Sequence, residues 1–389
     1  MGALDQELHR GLEALVGADT TDTQRALASV STKHGGLAFG GLASRSAPAY
    51  LGSWALCLQP VAASLGVATV EGFRTKCPSI AASMDRAEAA LLAAGGNGGR
   101  AVDWLRFLQE ATPKRQGPWG KEVSKECHKR LLATLPEADA ADFLSHGGTG
   151  AGTWLLSRRE GVQPMPDKHF SIALRDRLLL PVCREGDRCQ HRRPDGRLCG
   201  SLLDARGHHA RKCGIGGALD ARHNSIRDWG EATCKECFGT PALKEQRIPE
   251  WDRVNPRTGE LEAAVLDVVA HDPNTGTPLY VDAVVACAHS DDPARLRARA
   301  RKPGRAAADA AAGKRRRYAQ AGAFLVPFAL EDGGRPAEEA LAFVRMLGAV
   351  RTEAEEGCLD WGGTALLWQQ CSTLLQLGNA ELVLSANGR

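Results

Sequence analysis

The side chains that could do chemistry are concentrated between Cys183 and Tyr318. Cys189, Cys199, His209 and Cys213 follow the pattern C-x9-C-x9-H-x3-C, with Cys183 six residues upstream and His208 beside His209 as substitutes. Thiolates and imidazole suit tetrahedral Zn2+, and ligands placed on either side of a loop let a short segment fold around the ion. The basic and polar insert Gln190 to Arg197 would then be a loop of this finger. The plainer alternative is scattered thiols in a glycine-rich linker. Cys234 and Cys237 make a C-x2-C pair late in an expected helix, where capping or core packing accounts for them. A site that they complete with Cys183 and Cys189 stays open.

Carboxylates come next. Asp267 lies within the apolar run Ala263 to Ala270, and Asp282 within the apolar run Leu279 to Ala288. An ionised carboxylate inside a buried strand is costly unless it is paired or holds a metal. Two of them on adjacent strands point to a shared divalent cation, and Mg2+ or Mn2+ with one or two carboxylates plus phosphate and water oxygens is what a phosphodiesterase needs. Glu245, in a preceding short strand, is a candidate third acid. Lys314 and Tyr318 are four apart and share one face of a following helix. On that face the Lys314 ammonium would orient the attacking water or stabilise charge in the transition state. The alternative reading pairs both aspartates with nearby arginines at a strand edge.

The elements that must position these groups can be read from periodicity. Arg222 to Cys237 is an expected helix, Ala242 to Pro249 a short strand, and Glu262 to Ala270 and Leu279 to Ala288 two longer strands. Asp272 to Gly276 joins the last two as a hairpin turn. An alanine-rich helix from about 305 to 321 and an apolar strand from Phe324 to Leu330 complete the order helix, three strands, helix, strand. Upstream, Leu4 to Val16, Pro60 to Val67, Met84 to Ala94, Lys121 to Leu135, Ala138 to Leu144 and Lys168 to Leu179 read as helices, with Gly147 to Gly152 a flexible connection. Two amphipathic helices, Ala337 to Val350 and Thr364 to Leu377, close the chain. The expected class is α+β.

A length of 389 residues accommodates two or three domains with a real core, and 43% hydrophobic against 24% charged residues indicates neither disorder nor a fibrous fold. The net charge of +3 hides an asymmetry: between Arg295 and Arg317 ten basic residues face one acid, Asp309. Such a segment can neutralise phosphates, or it can be a solvated helix face. The first residues carry Asp5, Glu7, Arg10 and Glu13 rather than a signal-peptide core, and no run is long and apolar enough for a membrane span. The expected compartment is therefore intracellular, where twelve cysteines are thiols or metal ligands rather than disulfides.

The run Cys199 to Cys213, then Arg222-His223-Asn224, Glu245, Leu266-Asp267, Asp282 and Lys314-x3-Tyr318, resembles the C-terminal part of non-LTR (LINE-like) retrotransposon polyproteins that carry a restriction-like endonuclease. The resemblance covers about 183 to 330. It implies a CCHC zinc module before a PD-(D/E)xK-type αβββαβ core, Asp267 and Asp282 as metal ligands, and Lys314 as a catalytic lysine moved from strand to helix. Leu266 stands where that pattern has its proline, which supplies no ligand. Ser31 to Leu37 and Ala47 to Leu51 resemble the segment that follows the polymerase in such elements. The implied division is a helical, thumb-like region over 1–180, a zinc module over 181–217, the endonuclease core over 218–332 and C-terminal helices over 333–389.

The expected function is metal-dependent nicking of DNA, with Asp267, Asp282, Lys314, Glu245 and Tyr318 at the reaction. Arg315, Arg316, Arg317, Arg222 and His223 are expected on the nucleic acid, with His223 first a helix-start residue that organises the core. No Tyr-x-Asp-Asp polymerase signature occurs in the chain, so it is expected to be either a truncated remnant or the partner of a separately encoded reverse transcriptase. DNA, element RNA and a nuclear location belong to the same expectation. The rivals are a nucleic-acid-binding protein that has lost cleavage and a structural or assembly remnant.

Overall fold

The computed structural model describes residues 2–39, 42–156, 158–255, 258–273, 275–354 and 363–388. The chain divides into two compact units, Met1–Leu135 and Pro136–Arg389.

The first unit is helical: α1 (Gly2–Val16), α2 (Asp22–Ser29), α3 (Leu42–Ser64), α4 (Val70–Lys76), α5 (Pro78–Ala93), α6 (Trp104–Gln109) and α7 (Gln116–Thr134). The expected helix starting at Pro60 is only the end of α3, which runs through both Pro48 and Pro60. Each proline removes a backbone donor, but Leu51, Ala55, Leu58 and Ala62 recur at helical spacing and are all buried. Burial of that stripe with Phe73, Met84, Leu91, Trp104 and Trp119 outweighs the local penalty.

The second unit is a mixed α+β structure. Its elements are α8 (Glu137–Ser145), α9 (Asp167–Arg177), α10 (His208–Lys212), α11 (Ala218–Phe238), β1 (Leu243–Arg247), β2 (Arg253–Val254), β3 (Leu261–Glu262), β4 (Val265–His271), β5 (Pro278–Ala286), α12 (Pro293–Arg301), α13 (Arg305–Arg317), β6 (Leu325–Glu331), α14 (Glu338–Ala354) and α15 (Gly363–Ala386). The helices α8 and α9, joined to the amino-terminal region by the sequence reading, belong to this unit. The main sheet has the order β1-β4-β5-β6, with β4 antiparallel to both β1 and β5 and β6 parallel to β5. The parallel pair requires a crossover, and α12 and α13 supply it.

One face of the sheet packs on α11, α14 and α15. Ile226, Trp229, Cys234 and Cys237 meet Val268, Ala270, Val281, Ala283 and Phe328, with Phe343, Leu347, Trp368 and Leu375 beyond. Glycines in left-handed conformations bound α11, at Gly217 and Gly239. On the other face Ala307 and Ala311 of α13 lie against Ala329 of β6, so small side chains bring this helix close to the sheet.

Three expectations are corrected in detail. The strand expected over Glu262 to Ala270 is split: Leu261 and Glu262 pair with β2 in a separate ribbon, and β4 starts at Val265. The alanine-rich helix stops at Arg317, because Tyr318 leaves helical geometry at φ −118°, ψ 46°. The Gly147 to Gly152 segment is largely buried rather than a loose connection. Gly150, at φ +86°, leaves only 2.5 Å between the position of a Cβ and the Trp368 ring, so a bare backbone is required there. In the expected Asp272 to Gly276 turn, Asn274 lies outside the described residues. The turn's flanks are closed by Asp272 N–H to Thr277 O (2.9 Å) and Gly276 N–H to Asp272 O (2.8 Å).

Candidate functional site

Between Arg188 and Leu202 the chain folds back on itself, with the bridges Arg188–Leu202 and Arg192–Leu198 around a turn at Asp195 and Gly196. The Cys189 N–H donates to Ser201 O (2.8 Å) and the Cys199 N–H to His191 O (2.7 Å). The nine-residue spacing is therefore a hairpin that returns Cys199 to the side of Cys189. The Asp204 carboxylate then accepts from the His208 and His209 N–H groups, both at 3.0 Å, and starts the short helix α10. That helix presents His209 and ends at Cys213.

The four ligand atoms of Cys189, Cys199, His209 and Cys213 lie within 4.8 Å of one another. Sγ of Cys213 is 4.0 Å from that of Cys189 and 3.7 Å from that of Cys199, and Cys199 Sγ is 3.4 Å from His209 Nε2. A tetrahedron of Zn–S bonds of about 2.3 Å has S···S edges of about 3.8 Å, so these separations fit zinc and are far too long for a disulfide. Burial and the neighbouring thiols push Cys189 up to about 12. Crowding three thiolates is unfavourable without a cation among them, and this Cys3His cluster could hold a metal such as zinc. Among the described residues it is the one group of three or more such ligands.

The substitutes fall elsewhere. Cys183 is buried and its sulfur receives a hydrogen bond from the Asn387 side chain at 3.5 Å. His208 is held between Asp142 (2.8 Å) and Asp204 (3.1 Å) and stacks on His289 at 3.9 Å. Burial opposes its charge, yet the two carboxylates raise it to about 9. Cys234 and Cys237 are core residues on the buried stripe of α11. Burial pushes the Cys234 thiol up to about 12, as suits a packed thiol rather than a ligand.

The carboxylates come together as the hairpin requires. The β4–β5 register, Val268 opposite Val281, sets Asp267 opposite Asp282. The ladder opens here: the Ala283 N–H donates to Asp267 Oδ2 (2.6 Å) in place of a backbone carbonyl. Asp267 Oδ1 is 2.9 Å from His223 Nε2 on α11. Lys314 continues the Ala307, Ala311 stripe of α13, and its Nζ stands 2.7 Å from Asp282 Oδ2. Asp282 is only 4% exposed at its side chain. Burial raises its carboxyl to about 6, with Asp267 adding to the effect and Lys314 opposing it. Burial also acts to raise Asp267, but His223 and the Ala283 N–H outweigh it and hold that group low. Two neighbouring carboxyls with diverging affinities share one proton readily.

Other expected participants are engaged differently. Glu245 is exposed and ion-paired with Arg227, and it adopts φ +50°, where an ordinary side chain is strained. It stands opposite Asp267 across β1 and β4, at the gap in their pairing. The Tyr318 hydroxyl donates to Val265 O (2.9 Å) within a buried cluster, so it fastens α13 to β4 instead of facing solvent. Arg317 donates to the carbonyls of Trp251, Glu262 and Ala263, clamping the β2–β3 ribbon. Arg222 is buried and bonds Asn379 of α15 at 2.7 Å. Arg315 pairs with Glu339. Of the five expected nucleic-acid contacts, Arg316 alone is exposed with no acidic partner among the described residues.

Sequence reasoning missed a buried ionic network that ties α10 to α8, α9 and the end of β6. Arg211 pairs with Asp176 and Asp332, and Arg206 with Asp142 and Asp176. Burial alone would raise Asp142, but His208, Arg206 and Arg211 bring it down to about 2. The available signal was an acid set directly between Ala141 and Phe143 in the apolar second half of the helix. No known protein family, curated protein or solved structure matches the chain. No described helix is long and apolar enough to cross a membrane.

Proposed function

We propose that the chain is a metal-dependent DNA endonuclease derived from a non-LTR retrotransposon and nuclear in location. The observation that carries this reading is the pair on adjacent strands, Asp267 half-buried and Asp282 buried, with Lys314 2.7 Å from Asp282. Support for the restriction-like core comes from the order α11, β1, β4, β5, α13, β6 and from the resemblance of the motifs on it. Asp267 and Asp282 would hold Mg2+ or Mn2+, an ion that supplies Lewis-acid stabilisation of a phosphoryl group when bound. A single pair of carboxylates suits Mg2+, which keeps much of its water and takes phosphate oxygens as ligands.

In this reading water attacks phosphorus in line, the P–O3′ bond breaks, and the strand is left with a 3′ hydroxyl and a 5′ phosphate. Lys314 Nζ, 2.7 Å from Asp282 Oδ2, would stabilise the negative charge gathering on the phosphoryl oxygens. His223 holds Asp267 in one rotamer and so positions a ligand rather than touching substrate. The zinc module is a structural element that anchors α10 on the core. In the parent element such a nick would prime reverse transcription, with DNA and element RNA as partners.

One observation favours a second reading, a nucleic-acid-binding protein without cleavage. Lys314 and His223 already satisfy the two carboxylates with no cation. The test is incubation of supercoiled plasmid with the purified chain and Mg2+ or Mn2+. Nicks that DNA ligase reseals support the endonuclease and its 3′ hydroxyl product. Binding with no nicks in either metal supports the second reading.

A further inference from the structure

The crossover between β5 and β6 contains α12, whose sequence Pro-Ala-Arg-Leu-Arg-Ala-Arg-Ala-Arg buries no residue fully. Leu296, Ala298, Arg299 and Ala300 are its half-buried positions. Arg299 is spent on structure, donating to the carbonyls of Cys287 (3.0 Å) and His289 (3.1 Å). The other cations stand outward: Arg295, Arg297, Arg301 and Lys302 are exposed, and only Arg295 has an acid near it, Asp292 at 3.6 Å. Arg297, Arg301 and Lys302 have no acidic partner among the described residues.

Helix stability does not account for this arrangement. Cations in the last turn complement the helix dipole, but Arg295 lies in the first turn, where positive charge is unfavourable, and Arg297 at the centre gains nothing from it. A helix with little apolar burial gains nothing in core energy from four guanidinium groups. Guanidinium is, however, the side chain that meets phosphate oxygens with two parallel donors. Of the five residues expected for that task, Arg222, Arg315, Arg317 and His223 are occupied by Asn379, Glu339, backbone carbonyls and Asp267, and Arg316 alone stays exposed with no acidic partner among the described residues.

We infer that the exposed face of α12, carried by Arg297, Arg301 and Lys302, is the phosphate-binding surface for double-stranded DNA. The inference rests on the nucleic-acid reading above and moves the contact from the end of α13 to the helix before it. Contacts of this kind are blind to sequence and weaken with salt, each adding about 0.9 to the slope of log K against log salt.

The experiment compares Arg297→Glu/Arg301→Glu/Lys302→Glu with a charge-matched control, Lys168→Glu/Arg184→Glu/Lys235→Glu, on a duplex of random sequence by fluorescence anisotropy at several salt concentrations. Thermal melting of both variants confirms that each is folded. The expected result is a salt slope reduced by about 2 to 3 in the α12 variant, with the control close to the parent. A parent that binds, with an α12 variant that binds equally well and with the same slope, overturns the α12 assignment and leaves the nucleic-acid reading standing. A parent that shows no duplex binding at low salt overturns both. Equal losses in variant and control would assign the effect to net charge and likewise overturn the surface.

Discussion

Asp267 and Asp282 face one another where the β4–β5 ladder opens, and their surroundings pull their proton affinities apart. A free aspartate titrates near pH 3.9, so a folded-state value of about 6 means that the native protein binds the Asp282 proton more tightly than the unfolded chain does. Stability from this group is greatest at low pH and is lost as pH rises from about 4 through 6. Asp282→Asn should therefore raise the free energy of unfolding at pH 8 by about 3 kcal/mol and lose that advantage at pH 4. A penalty of equal size at both pH values would show that the carboxylate is ordinarily solvated. Tyr318 gives the complementary case. Its hydroxyl bonds Val265 O, so Tyr318→Phe should cost about 1 kcal/mol of stability in denaturant unfolding and leave DNA affinity unchanged. The acids and Lys314 were legible because a charge inside an apolar run is conspicuous. The internal bonds of Tyr318, expected at the reaction, and of Arg317 and Arg222, expected on nucleic acid, were not legible, because nothing in a sequence tells whether a long polar side chain turns to solvent or to a nearby carbonyl or amide.

Elements were legible where the hydrophobic period was long and obscured where tertiary contacts overrode local rules. The hairpin from β4 to β5 and the buried stripe of α11 follow from alternation and from three-and-four spacing. The passage of α3 through two prolines does not, since only the packed face of Leu51, Leu58 and Ala62 explains it. The zinc hairpin is intermediate: the ligand types are plain, while the nine-residue spacing makes sense only once Asp195 and Gly196 turn the chain. A chromogenic thiol reagent should release one zinc per chain. Cys199→Ser should abolish most of that release. Cys183→Ala and Cys234→Ala should leave it intact, with Cys234→Ala instead lowering stability through a core cavity. Zinc lost from either of the last two variants would redraw the ligand set.

On the scale of the whole molecule, two compact units imply two cooperative transitions. All four zinc ligands lie in Pro136–Arg389, and α10 is bound to α8 and α9 through Asp142, Asp176, Arg206 and Arg211. Metal removal by chelator should thus shift one calorimetric transition and leave the other in place. A shift of both, or a single transition, would contradict independent units. The buried ionic network that makes this coupling possible was the least legible feature, because its partners are scattered from Asp142 to Asp332 and meet only in the fold.

The central claim is that Asp267 and Asp282 form a metal-dependent cleavage centre. It is tested most directly by nicking of supercoiled plasmid in Mn2+ with the parent, Asp267→Ala, Asp282→Ala and Tyr318→Phe. The parent and Tyr318→Phe should be active, and both aspartate variants should lose at least about a hundredfold. Equal nicking by all four proteins would contradict it.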